Sequence, residues 1–101
     1  MSVTGNVITK NRRLAILRFL SEERDYAMNT STLQGALRMI GHSVTRDMVE
    51  ADAAWLDEQG LARRSLVDGT TITVLTVTQR GVEVARGLAE HPGVDRPMPG
   101  I

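Results

Sequence analysis

Few side chains in this chain could carry covalent chemistry, and their spacing argues against it. There is no cysteine, which excludes disulfides, thiolate metal sites and thiol catalysis. His42 and His91 are isolated, with no metal-ligand spacing around either, and His42 fits a turn residue. Asp52 falls inside an apolar helical stripe, where an unpaired carboxylate is costly, so it reads as the ion-pair or hydrogen-bond partner of an arginine or a helix terminus. No nucleophile and base stand at a motif spacing, and no glycine-rich phosphate loop is present. The expectation is no catalytic residue, no metal and no cofactor, hence not an enzyme.

What remains is recognition chemistry. Arg46 could donate to a guanine edge, and Glu50 could accept from a cytosine amine. Ser43 and Thr45 beside a helix start, with Arg63 and Arg64 on a predicted hairpin, could hold phosphates, and Lys10, Arg12 and Arg13 could add to them. Each has a plainer role available: hydroxyls at helix starts cap helices, and hairpin arginines are commonly solvated surface.

The elements that must position these residues are legible from periodicity. Lys10 to Glu23 repeats as a helix in which Leu14, Ile16, Leu17, Phe19 and Leu20 cover most of the circumference, leaving a narrow polar strip of Arg18 and Glu22. That is more apolar surface than one core face needs, which points either to a partner or to a central place in a small bundle. Asn29 or Thr30 can cap a second helix running to Ile40, with Leu33, Leu37 and Ile40 on one face. Gly41 ends it, His42-Ser43-Val44 makes a tight turn with Val44 as apolar plug, and Thr45 caps a third helix to Gln59. Its stripe is Met48, Val49, Trp55 and Leu56, with Trp55 the expected core anchor of a chain that has three aromatic residues.

Gly60-Leu61 leaves the helix, and two stretches rich in β-formers, 62–67 and 70–77, flank Asp68-Gly69, the strongest short-range hairpin signal. With a two-residue turn there, Val67 faces Thr70 and Arg63 and Arg64 lie opposite Val74 and Thr73. Thr78 caps a last helix over 79–90, with Val82, Ala85, Leu88 and Ala89 on one face despite Gly81 and Gly87, which cost helix stability. The expected fold is α+β and mostly α: a winged helix-turn-helix with a three-helix core, a two-stranded wing and a C-terminal helix. Residues 1–9 read as a flexible arm, 10–90 as the winged-helix domain, and 91–101, with three prolines, as an extended tail.

Charge complicates the reading. The chain has twelve basic and twelve acidic residues, but segment 41–58, which holds the third helix, has one basic against five acidic residues, while 1–40 has six against three. Carboxylates on a helix meant for a groove oppose the electrostatic attraction that supplies most affinity for nucleic acid.

Trp55-Leu56-Asp57-Glu58-Gln59-Gly60-Leu61 and Leu75-Thr76-Val77-Thr78-Gln79-Arg80-Gly81 resemble the winged-helix regulators of bacteria of the ArsR, MarR and PadR types. Gly41-His42, Trp55-Leu56, Val84-Ala85 with Gly87, and Pro92-Gly93-Val94-Asp95-Arg96-Pro97 with Pro99-Gly100 are similar to a small winged-helix family of Mu-like phages and prophages. The resemblance implies a phage-derived DNA-binding or regulator-like protein. Metal sensing of the ArsR type does not carry over, because its cysteines have no counterpart.

Two readings stay open. One is a dimeric transcriptional regulator or DNA-associated factor on double-stranded DNA. The other is a winged-helix module that binds a phage or host protein in a regulatory or assembly complex without touching DNA. A homodimer is expected through the Phe19 side of helix 10–23 and the C-terminal helix. No apolar run has the roughly 20 residues of a membrane span, and the start lacks signal-peptide order, so a cytoplasmic location is expected.

Overall fold

In the computed structural model, which describes residues 3–98, each helix turns one apolar face to a common core, while Val3, Val7 and Ile8 of α1, Met39 of α2, Ile40 after it and Met48 of α3 stay exposed. The chain runs α1 (Val3–Glu22), β1 (Ala27–Asn29), α2 (Thr30–Met39), α3 (Arg46–Glu58), β2 (Ala62–Leu66), β3 (Thr73–Val77) and α4 (Gln79–Ala85). It is an α+β architecture: four helices with a three-stranded antiparallel sheet ordered β1-β3-β2. Ile16, Leu17 and Leu20 of α1, Leu33 and Leu37 of α2, Val49, Ala53 and Leu56 of α3, Leu61, and Leu75 of β3 are fully buried together. Burial of whole aliphatic side chains contributes about 1.5–3 kcal/mol each, so this cluster supplies most of the drive to fold.

The helix starts follow the sequence closely. Asn29 accepts from the Thr32 amide at 2.7 Å and Thr45 from the Met48 amide at 3.2 Å, so both expected caps form. Val44 plugs the turn between α2 and α3, and its carbonyl accepts from Gln34 and from two nitrogens of Arg38.

Four expectations about the elements themselves fail for identifiable reasons. Residues 3–9, expected as an arm, are the first turns of α1; Met1 and Ser2 lie outside the described residues. A third strand, β1, pairs Ala27, Met28 and Asn29 with Thr76, Leu75 and Val74. Its three residues are too few to show a period, and it depends on Tyr26 at φ 58, whose carbonyl takes the Val77 amide at 2.9 Å. The hairpin is shifted by two residues, with Arg63 opposite Thr76 and Arg64 opposite Leu75. Val67 pairs with Ile72 instead of Thr70, because Thr70 closes a four-residue loop, its amide and hydroxyl both donating to the Val67 carbonyl. An even shift keeps each side chain on its expected face of the pleat. Finally, α4 stops at Ala85, since Gly87 adopts φ +78, and Leu88 stands exposed. Gly81 is required where it stands: any Cβ would overlap the Leu61 carbonyl on which α4 begins.

Trp55 does not fill the core centre. It lies half-buried at its edge, with the Arg13 guanidinium 3.7 Å from its ring centre and the His91 ring edge-on at 5.2 Å. Around it the chain beyond residue 90 folds back: Arg13 donates to the Gly93 carbonyl, the Asp95 amide to the Lys10 carbonyl, and Val94 is buried. The described part of the tail is therefore docked, and residues 99–101 lie outside the described residues.

Beneath this edge Arg12 and Asp52 form a buried ion pair, 7 and 3 % exposed. Arg12 Nε and Nη2 donate to the two carboxylate oxygens, the second at 3.1 Å, and Arg13 Nε approaches the same carboxylate at 3.9 Å. Asp52 thus takes the scaffold role expected of it. Asp52→Ala strands a buried guanidinium and should cost about 3–5 kcal/mol in urea unfolding, whereas Arg12→Met with Asp52→Leu should recover most of that loss.

His91 gives a second test. Burial, then the charges of Arg80 and Arg13, hold its pKa below the ordinary histidine value. The Gly93 amide donates to its Nδ1 at 3.0 Å while Nε2 meets Gln59 Oε1 at 2.9 Å, an arrangement that needs the neutral ring. A folded-state pKa below the unfolded one means that this stability is fully present above about pH 6.5 and is lost as pH falls from there through the folded value. The fluorescence of Trp55, the single tryptophan, should report that loss, and His91→Gln should abolish the change in emission. His42, lowered by burial and Arg12 against the opposing effect of Asp52, keeps a residual slope of the same sign in unfolding free energy.

Candidate nucleic-acid interface

Three elements open onto one shallow cleft of roughly 320 Å³. The start of α2 supplies Asn29, Thr30 and Ser31, the first residue of α3 supplies Arg46, and the hairpin supplies Thr71, Ile72 and Thr73. The antiparallel sheet brings the first and last groups together, since β1 leads straight into α2 and pairs with β3. The result is a floor of hydroxyls at a helix N-terminus with Arg46 on its wall, where the Thr30 hydroxyl is already given to the Glu50 carboxylate.

Arg46 is exposed, and its Nε donates to Gln34 Oε1 at 3.2 Å, which fixes the stem of the guanidinium. Its terminal nitrogens have no hydrogen bond or ion pair among the described residues. A neighbouring concavity of about 400 Å³ is lined by Arg64, Ser65, Leu66 and Thr73. Thr73 borders both hollows, so they adjoin along the hairpin, with Arg46 lining one and Arg64 the other. Arg63 alternates to the other face of the ribbon, with Thr76 opposite. The sextet read from the sequence is therefore split. Arg46 and Arg64 line adjoining hollows, Ser43 is exposed on the turn, Thr45 spends its hydroxyl as a cap, and Glu50 turns inward.

Glu50 is half-buried, and its Oε2 accepts from the Thr30 hydroxyl at 2.6 Å, beside the positive end of α2. Asp57 accepts from the Arg64 backbone amide at 2.7 Å, capping an outward-facing group of edge strand β2. With Asp52 paired to Arg12, three of the five carboxylates of segment 41–58 are engaged by the scaffold. Asp47 and Glu58 stay exposed. The charge count of α3 thus overstates the negative charge it presents outward.

Asn29, Thr30, Ser31, Thr71 and Thr73 are not among the site residues that the sequence suggests. The Asn-Thr-Ser-Thr run was visible as a helix start, but nothing local shows that it faces the hairpin. Among the described residues no group of His, Asp and Glu is placed to hold a metal ion, and no described helix is long and apolar enough to cross a membrane.

The chain is 43% identical over 95 residues to the uncharacterized protein gp26 of Escherichia phage Mu, covering 94% of this chain and 96% of gp26. It belongs to the gp26 family. An uncharacterized protein of Haemophilus influenzae strain Rd is 41% identical over 75 residues, covering 73% of this chain and 71% of that protein. No protein-family model matches the chain. The phage relation expected from the tail and the Gly41-His42 and Trp55-Leu56 pairs is thereby shown, and membership of the gp26 family carries no assigned activity with it.

The floor of the cleft has its own test. In this gp26 relative, Glu50→Ala leaves the Thr30 hydroxyl, on a residue 2 % exposed, without its acceptor and should cost about 1–3 kcal/mol. Glu50→Gln keeps an acceptor and should cost much less, as thermal unfolding of the two variants would show.

Proposed function

We propose that this protein is a phage winged helix-turn-helix that binds double-stranded DNA, acting as a dimeric transcriptional regulator or DNA-associated factor. In this reading α2, the turn around Val44 and α3 are the helix-turn-helix, and β2 and β3 are the wing. The observation that supports it is the pair of adjoining hollows lined by the α2 N-terminus with Arg46 and by Arg64 with the hairpin, which meet at Thr73. Backbone amides and hydroxyls at a helix start hold phosphates without reading sequence, while an arginine on the first turn of the second helix reaches guanine in the major groove. Glu50, bonded to Thr30, drops out as a base reader, which leaves Arg46 as the residue that specifies.

A second reading, a module that binds a phage or host protein, is favoured by one feature. The hairpin tip exposes Leu66, Val67 and Ile72 at 64, 43 and 49 %, side chains that gain little from a phosphate backbone and much from an apolar partner.

Fluorescence anisotropy with random-sequence and phage genomic duplexes separates the two. A DNA binder should lose affinity by about tenfold or more between roughly 50 and 200 mM salt. Arg46→Ala and Arg64→Ala should each weaken binding by about 1–3 kcal/mol, with Arg63→Ala having the smaller effect. No binding at the lower salt would sink the DNA reading and leave the apolar hairpin tip as the working surface.

A further inference from the structure

α1 carries a stripe on the side turned away from the core, used within the chain only where Asn11 meets His42 at 3.2 Å and Ala15 packs against the core. Thr4, Ile8, Asn11, Ala15, Arg18 and Glu22 follow one another at alternating steps of four and three, the spacing of a coiled-coil seam, and all are exposed or half-buried. Toward its N-terminal end Ile8 is 49 % exposed, with Val7 next to it at 58 %. Toward its C-terminal end lies an open groove of about 240 Å³ lined by Ala15, Arg18, Phe19, Glu22 and Ile40. One helix thus offers an uncovered apolar ridge and an uncovered apolar groove about three turns apart on one side.

Its charges run against the helix dipole. The first turn of α1 holds no acidic residue and the last turn no basic one, while Glu22 closes the helix and Glu23 follows it. A lone helix favours the opposite arrangement. The segment Val3 to Thr9 is also a poor helix former, with four β-branched residues besides Val3 and with Gly5, so its helical state calls for support from outside the helix.

We propose that the occupant of this stripe is α1 of a second copy, packed antiparallel across a two-fold axis. The register that sets Thr4 opposite Glu22 of the second copy also sets Ile8 opposite Arg18 and Asn11 opposite Ala15, so the stripe maps onto itself. Ile8 and Val7 of each copy then fill the Ala15-Phe19-Ile40 groove of the other, and Ala15, the smallest side chain of the set, allows close approach at the axis. Each positive N-terminus comes to lie beside Glu22 and Glu23 of the other copy, which corrects both helix ends at once. A parallel pairing would instead set Glu22 against Glu22 and leave the ridges facing ridges. The interface is isologous and closes at two copies. It rests on α1 alone, so the outcome of the DNA experiments bears on it in neither direction.

The absence of native cysteine makes the register directly testable. Positions 4 and 22 are about 27 Å apart along one helix, far beyond disulfide reach, so any bridge between them joins two chains. The Thr4→Cys, Glu22→Cys double variant should oxidise to a covalent dimer, while Thr4→Cys and Glu22→Cys alone should stay largely uncrosslinked. Light scattering of the cysteine-free protein at micromolar concentration should give a dimer. Ile8→Glu should raise its dissociation constant by about tenfold or more while leaving the thermal unfolding of the isolated protomer unchanged, since Ile8 packs little within its own chain. A monomer throughout, an Ile8→Glu dimer as tight as the original, or single-cysteine variants that link as readily as the double would each overturn the proposal.

Discussion

The buried pair of Arg12 and Asp52 is the constraint around which the rest of the molecule is arranged. Both charges have left water, and each is tolerable only in the presence of the other, so α1 and α3 have one permitted register against each other. That register sets Arg13, the next residue, over the Trp55 ring and within 3.1 Å of the Gly93 carbonyl. The tail is thereby held against α1 and α3 by a stacked cation, a neutral histidine and one buried valine. A small domain with three aromatic residues gains in this way an ordered edge that its aliphatic core could not supply alone.

The same economy governs α3. Its acidic composition looked hostile to a groove lined by phosphates, yet the fold employs Asp52 as an ion-pair partner, Glu50 as an acceptor at the start of α2, and Asp57 as a cap on edge strand β2. Each carboxylate meets a donor that would otherwise have to be satisfied by water or left orphaned. At its first turn α3 presents Arg46, oriented through Nε by Gln34, next to the exposed Asp47. In this chain α3 thus gives three of its carboxylates to the scaffold and keeps Arg46, Asp47 and Glu58 exposed.

Several features were available from local sequence because local physics decides them. Asn29, Thr45 and Thr78 cap helices through their own side chains, and Gly41 and Gly60 end helices through positive φ. The periodic leucines and valines of α1, α2 and α3 declare their buried faces, and the isolated place of Asp52 in an apolar stripe declares the need for a partner. The hairpin also declared itself, although its register slipped by two because the Thr70 hydroxyl closes a longer loop than Asp68-Gly69 alone implies.

The sequence by itself determined where α2 and α3 lie, that helices follow Thr9 and Thr78, the caps at Asn29, Thr45 and Thr78, the presence of the hairpin and the kind of residue that Asp52 must meet. Only the tertiary structure decided which arginine it meets, that β1 exists, that Trp55 guards the tail, and which polar residues share a surface. The physical reason is separation along the chain. Caps and turns are settled within a few residues, whereas Arg12 lies forty residues from Asp52, Thr30 twenty from Glu50, and His91 thirty-two from Gln59. No periodicity connects such pairs; they are brought together by the burial of the aliphatic core, which selects one packing of the helices and so selects the neighbours of every charge.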